Sequence, residues 1–270
     1  MSEPGFAPGP EEARDRSFVT ALARGLDVLR CFRAGDLDLT NADISGRTGL
    51  PKATVSRLTH TLCALDYLVA DPRTGTYRLG VGVLQLGFGV LAGMDIGERA
   101  AEVLGTLRNG PNSYITAALG ERHRGDVVYV AVRRSRENVS LAMHVGSRLP
   151  LFHSAIGRAI LVAMQPGDRE SVFDAARRDD PAGEAARCAV YERAAAEHAE
   201  MGFCTGYGEW RSDVNGIAVP VTSLDGVRLY GLNVGGPSFR VSRRQLEDHY
   251  GPLLIEAART LSLQPRASGG

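Results

Sequence analysis

The sequence predicts two folded domains of different class: a small, mostly α N-terminal domain and a larger α+β domain with an antiparallel sheet. Three observations carry this. Apolar residues recur at helical steps from Leu22 to Leu65, broken at Gly49. Two extended runs then flank "DPRTG", which reads as a hairpin turn. Beyond residue 113, strand-like and helical stretches alternate, and the runs "GIAVPV" and "LYGLNVGG" are joined through Asp225-Gly226.

The first sixteen residues combine Pro, Gly and charge without periodicity, which predicts a mobile tail over 1–16. Leu22, Leu26 and Leu29 follow at steps of four and three and predict an amphipathic helix ending near Arg33. "TNADISGRTGL" predicts a short helix capped at Thr40 or Asn41 and stopped by Gly49, because a residue without a Cβ suits the left-handed turn at a helix end. A second helix should begin after Pro51, with Val55, Leu58, Leu62 and Leu65 as its buried stripe. At 100° per residue the opposite side presents Ala53, Ser56, Arg57 and His60, with Lys52 and Thr54 at its N-terminal end.

Two short helices joined through a glycine, the second exposing small polar and basic residues, form a helix-turn-helix. Small residues let such a helix sink into a major groove, hydroxyls bond phosphates or bases, and Arg57 can reach a guanine edge with two parallel bonds. The hairpin behind it reads as a wing carrying Arg73 and Arg78. Between Gly46 and Gly80 five basic residues (Arg47, Lys52, Arg57, Arg73, Arg78) face two acidic ones (Asp66, Asp71), the local excess that phosphate contact needs.

Residues 81–100 predict a linker helix too apolar for open solvent, with Val81, Leu84, Leu86, Phe88, Val90 and Leu91, and part of it reads as a dimer contact. The second domain, 101–263, should contain strands in "SYITAALG", "DVVYVAV" and "VSLAMHVG" and helices over 156–164, 187–201 and 242–261, before a tail at 264–270.

Composition narrows the function. Of 270 residues, 31 are basic and 31 acidic, so any nucleic-acid surface must come from local asymmetry rather than from overall charge. No stretch approaches a membrane span, and the N-terminus has no basic region leading into an apolar run, so a cytoplasmic protein is expected. Cys31, Cys63, Cys188 and Cys204 lie far apart, without metal-ligand spacing, and read as buried thiols. The six histidines form no i, i+4 pair, so no metal site and no cofactor is expected. His153-Ser154 suggests a nucleophile and base, but neighbours on an extended segment face opposite ways and no third partner is evident; no catalytic residue is assigned.

Taken together, "LTNADISGRTGLPKATVSRLTHTLCALDYLVADPRTGTYRLG", "GSRLPLFHSAIGRAILVAM" and "GIAVPVTSLDG" with "LNVGGP" resemble the isocitrate lyase regulator (IclR) family of bacterial transcription factors, from about Ser17 to Leu263. The resemblance implies a winged helix-turn-helix over 17–80, a GAF-like effector domain, dimers or tetramers, and binding to a palindromic operator controlled by a small organic acid. The resemblance implies repression as the commoner mode, while aromatic-acid relatives include activators. The opening "SFVTALARGLDVLRCF" is most similar to members that regulate aromatic-acid breakdown. The family's effector positions fall on Ser154, Ala155, Ile156, Gly157, Gly206, Gly216, Asn233 and Gly235, with Leu141 and Met143 as apolar walls. A helix beginning near Ser154 would independently offer free N–H groups to a carboxylate.

This chain departs from the family in "GYGEW", where Glu209 stands beside Trp210 and near Tyr207, and in the glycines at 216 and 235. Lost side chains enlarge a pocket and aromatic neighbours can stack a ring, so a larger acid, aromatic or multi-oxygen, is expected instead of one with two or three carbons. The alternatives are a redox-responsive regulator working through Cys188 and Cys204, and a ligand-binding module without DNA binding.

Overall fold

The computed structural model describes residues 17–262, except 34, 37, 93–95 and 138–140, and of residues 90–92, 97 and 98 the backbone alone. The two expected tails, together with the side chains of Val90 and Leu91, lie outside the described residues. The chain divides into two compact units, 1–93 and 94–270.

The first unit contains α1 (Thr20–Arg30), β1 (Leu39–Thr40), α2 (Asn41–Thr48), α3 (Lys52–Ala64), β2 (Leu68–Asp71), β3 (Thr76–Leu79) and α4 (Val81–Ala92). Thr40 starts α2 with a reciprocal capping box: its hydroxyl accepts the Asp43 N–H (3.2 Å), and the Asp43 carboxylate accepts the Thr40 N–H (2.9 Å). Gly49 ends α2 at φ +70°, as the sequence predicts. The two wing strands gain a third: β1 pairs with β3, giving the order β1-β3-β2.

Val28, Leu39, Ile44, Val55, Leu62 and Leu68 form the core. Two predicted stripes are thereby rotated. In α1, Val28 is buried while Leu22 and Leu26 are exposed, and in α3, Thr59 takes the inner position expected of Leu65. The buried Thr59 hydroxyl donates back to the Ser56 carbonyl, 3.1 Å away, which is how a polar residue is accommodated there. Arg47 is also reassigned. Its guanidinium grips both carboxylate oxygens of Asp36 and donates to the Cys31 carbonyl, so its charge ties α2 to the loop after α1 and is not available to phosphate.

The second unit contains α5 (Ile96–Arg108), β4 (Thr116–His123), β5 (Asp126–Arg133), β6 (Arg148–Pro150), α6 (Ala155–Ala163), α7 (Pro166–Asp179), α8 (Glu184–Met201), β7 (Cys204–Tyr207), β8 (Val214–Thr222), β9 (Leu229–Pro237), a short α9 (Arg243–Gln245) and α10 (Gly251–Ser262). Its sheet is antiparallel throughout, in the order β6-β5-β4-β9-β8-β7. Alternate strand residues feed two cores. Ala117 and Leu119 pack with Leu104 of α5 and Leu254 of α10, whereas Ala118 packs with Ile156 and Ile160 of α6.

Two expectations are corrected here. The described part of "VSLAMHVG", from Leu141 onward, is not a strand, and Leu141 and Met143 sit buried in irregular chain. The closing helix is interrupted by a π-helical turn, Leu246–Tyr250, which brings Leu246 and Tyr250 both fully into the core.

Candidate nucleic-acid face and ligand cavity

On α3, the burial of Val55, Thr59 and Leu62 turns Lys52, Ala53, Ser56, Arg57 and His60 outward, with Thr54 half-buried beside them. Lys52, the only lysine in the chain, occupies the first helical position. Arg73 and Arg78 stand exposed on the β2–β3 hairpin, Arg73 leaning on Asp71 at 3.4 Å across a solvent-exposed pair. Such a pair contributes little and yields readily to a phosphate. One helix and one hairpin of the same unit therefore present five basic or hydroxyl side chains on α3 and two arginines on the wing.

In the second unit, strand register assembles a cavity that no single segment announces. Gly206 of β7 lies opposite Gly216 of β8, Gly216 opposite Gly235 of β9, and Gly235 opposite Thr116 of β4. All four line one cavity of about 500 Å³ including its open mouth, so its floor is largely bare backbone. The N-terminus of α6 closes down on this floor: a Cβ on Gly206 would stand 2.8 Å from the Ala155 nitrogen. Leu141, Met143, Leu149 and Val214 supply apolar wall, and Tyr129, His153, Ser154, Ala155, Ile156, Trp210, Asn215 and Asn233 complete the lining.

The Ser154 hydroxyl is already committed, donating to the Pro150 carbonyl (2.7 Å) and accepting the Gly157 N–H (3.2 Å). The next two N–H groups, of Ala155 and Ile156, have no acceptor among the described residues and are the free donors of the helix end. Burial pushes the Tyr129 phenol far above its ordinary pKa, so it stays protonated beside the Asn233 amide. The Asn233 Oδ1 is buried without a partner. No Lys, Arg, Asp or Glu lines the cavity among the described residues. His153 joins the lining as an exposed residue, so the buried anion-attracting element is the helix end, suited to one carboxylate more than to a polyanion.

Of the ten residues expected at an effector site, nine line this cavity. Gly157 does not: its missing side chain lets α6 approach the Leu151 carbonyl, which a Cβ would meet at 2.0 Å. Tyr207 turns away from the cavity and donates its hydroxyl to Glu247 (2.8 Å), whereas Trp210 lines it. Thr116, Tyr129, Leu149, His153, Val214 and Asn215 also line it, and nothing in the sequence assigns them to an effector site. Thr116 and Asn215 are placed only by register with the glycines, and Tyr129 looks like any inward residue of an alternating strand.

These two surfaces, a basic helix-and-wing and a cavity closed by a helix N-terminus, define a DNA-binding regulator of transcription. Two family models match the chain, the IclR helix-turn-helix domain over residues 21–72 and the bacterial transcriptional regulator IclR C-terminal over 88–263. The HTH-type transcriptional regulator TsaQ1/TsaQ2 of Comamonas testosteroni is 34% identical over 93% of this chain and 90% of its own. The crystal structure of an IclR family transcriptional regulator from Brucella abortus is similar at 39% identity and a TM-score of 0.80, covering 96% of this chain and 98% of that one. An IclR homolog from Microbacterium hydrocarbonoxydans, solved in complex with 4-hydroxybenzoate, shares the fold at 24% identity and a TM-score of 0.69, over 90% and 97% of the two chains. The chain belongs to the IclR family of bacterial transcriptional regulators. It is a regulator and not an enzyme. No helix among the described residues is long and apolar enough to cross a membrane.

Proposed function

We propose that this regulator binds a palindromic operator as a homodimer or homotetramer, through Lys52, Ala53, Thr54, Ser56, Arg57, His60, Arg73 and Arg78, and represses until a small organic acid occupies the cavity. Residues 17–80 then serve as the DNA-binding domain, 81–100 as the linker and 101–263 as the effector domain of a cytoplasmic protein. The observation that carries the effector half is the pair of unclaimed N–H groups at Ala155 and Ile156, opening over a floor of glycines. They take the carboxylate, and the apolar walls with Trp210 take a ring. The liganded state differs from the empty one in the spacing of two recognition helices, so half-sites about one DNA turn apart fit only one of them.

Dimerisation is supported by apolar residues left uncovered in the first unit. Leu22 and Leu26 of α1 and Val81, Leu84, Leu86 and Phe88 of α4 are all exposed, Leu84 at 73% and Phe88 at 68%. A helix this apolar and this open requires a partner.

Gel shifts against the intergenic DNA upstream of the protein's own gene, at fixed salt and with a panel of aromatic and aliphatic acids, test the proposal. Specific retardation altered by one acid supports it. Retardation that follows salt alone, with no sequence preference and no response to any acid, refutes it. The redox reading through Cys188 and Cys204 has less support: burial raises the Cys204 thiol to about 12, far from the reactive thiolate range.

A further inference from the structure

Trp210 is the only tryptophan of the chain, and it reaches the cavity from the loop 208–213 between β7 and β8. That loop is pinched at its base, where the Gly208 N–H donates to the Val214 carbonyl (2.9 Å) and the Val214 N–H to the Arg211 carbonyl (3.0 Å). What fastens it to the helices is the residue before the tryptophan. Glu209 Oε1 lies 3.2 Å from Arg158 Nη1 and 2.7 Å from Arg193 Nη2, and its Oε2 accepts the Tyr207 N–H at 2.7 Å.

Arg158 cannot yield. It is 1% exposed, and it also donates to the carbonyls of Phe152 (3.2 Å) and Thr205 (2.8 Å). A buried guanidinium without its counter-charge is costly, so the loop carrying Glu209 must come to Arg158 and not the reverse. Arg158 belongs to α6, the helix whose first N–H groups face the cavity. Arg193 belongs to α8 and also approaches Glu197, whose carboxylate accepts the Thr205 N–H (2.8 Å) and hydroxyl (2.9 Å). One carboxylate thus joins the carboxylate-facing helix, a second helix and the tryptophan loop. The indole is steadied further by Arg211, whose guanidinium lies 5.7 Å from the ring centroid and is itself held by Asp213.

We propose that Glu209 is a positioning residue that, through Arg158 and Arg193, holds Trp210 as a flat wall of the cavity, and that this wall makes the site prefer planar aromatic monocarboxylates over saturated acids of the same size. The proposal rests on the effector reading of the cavity. A planar ring gains offset stacking on a fixed indole, whereas a puckered ring of equal area does not lie flush against it. A wall on an unfastened loop offers no such discrimination, because ordering it is then paid from the ligand's own binding energy.

The test uses the full chain, wild type beside Glu209→Gln, Arg193→Gln and Trp210→Leu, with benzoate and cyclohexanecarboxylate as probes. Calorimetry should show wild type preferring benzoate by about two- to tenfold. The preference should vanish in Glu209→Gln and Trp210→Leu and shrink in Arg193→Gln, benzoate losing more affinity than cyclohexanecarboxylate in each variant. Without any ligand, the emission of the lone tryptophan should shift to the red in Glu209→Gln and become more open to acrylamide quenching. A folded Glu209→Gln protein with unchanged emission and unchanged preference overturns the proposal. If Glu209→Gln fails to fold, Arg193→Gln decides on the same two readouts, since Arg193 is half-exposed. If wild type binds neither acid, the aromatic-effector reading fails and selectivity falls with it. The emission shift then still upholds or overturns the fastening itself.

Discussion

Replacing Gly206 by alanine is the sharpest probe of how the cavity holds an acid. The added methyl would lie 2.8 Å from the Ala155 nitrogen and 3.1 Å from its Cβ, and the first of these is backbone at the start of α6, which cannot swing aside as a side chain can. Either α6 shifts or the methyl occupies the space in front of the Ala155 N–H. In both cases a carboxylate loses a charge-assisted hydrogen bond of about 1.5–3 kcal/mol, roughly a tenfold to hundredfold rise in Kd. Strain of about 1–3 kcal/mol should appear separately as a lower Tm. Gly216→Ala separates the two effects, because its methyl also narrows the cavity floor but meets its nearest atom, the Val234 carbonyl oxygen, at 3.3 Å and leaves α6 alone; it should cost less affinity than Gly206→Ala. Titration calorimetry with the acid selected by the gel-shift panel, alongside thermal melts, reads both quantities. Unchanged affinity in a folded Gly206→Ala protein would refute the idea that the α6 N-terminus receives the carboxylate.

The other predictions concern the first unit. Arg57→Ala should cost about 1–3 kcal/mol on the operator and relax base preference at one position, seen in binding to single-base operator variants; uniform weakening would mark a phosphate contact instead. Arg73→Ala and Arg78→Ala should each weaken all sequences alike and reduce the salt slope by about one, measured by fluorescence anisotropy between low and moderate salt. If the proposed dimer forms through α4, Phe88→Asp should split it: losing about 2 kcal/mol of burial in each of two symmetric copies weakens association by roughly three decades, visible by sedimentation. Arg47→Ala should lower stability at neutral pH by about 1 kcal/mol. The Arg47 guanidinium holds the Asp36 carboxyl below its ordinary pKa, so this stabilisation is present above the unfolded-state value and is lost as pH falls through the folded one. Acid melts of wild type and variant should therefore begin to converge below about pH 4 and meet once the pH is under the lowered folded value. A gap that persists there would assign Arg47 a packing role instead.

Residue chemistry alone was enough to place the ends of α2 and the outward face of α3, while nine of the cavity's residues were named through the family resemblance. Thr40 and Gly49 mark the ends of α2 by chemistry that acts within four residues, so both were legible. The outward face of α3 was legible too, because a helix puts Ala53, Ser56, Arg57 and His60 together whatever surrounds it. The inward face was not: Leu65 and Thr59 exchanged places because the direction of the core is set by α1 and β1, which the period of a single helix does not report. Tertiary structure alone decided the rest. Arg47 counted as a charge for DNA until the fold brought Asp36 against it. Gly206, Gly216 and Gly235 became one floor only through the register of β7, β8 and β9, which also brought Thr116 to the edge of that floor from β4. Glu209 read as a departure in composition, and it acquired a task only when α6 and α8 delivered Arg158 and Arg193 to the same oxygen. Helix caps and faces are properties of adjacent residues, while floors, walls and buried ion pairs depend on contacts between distant ones, and those exist only once the chain has chosen its register.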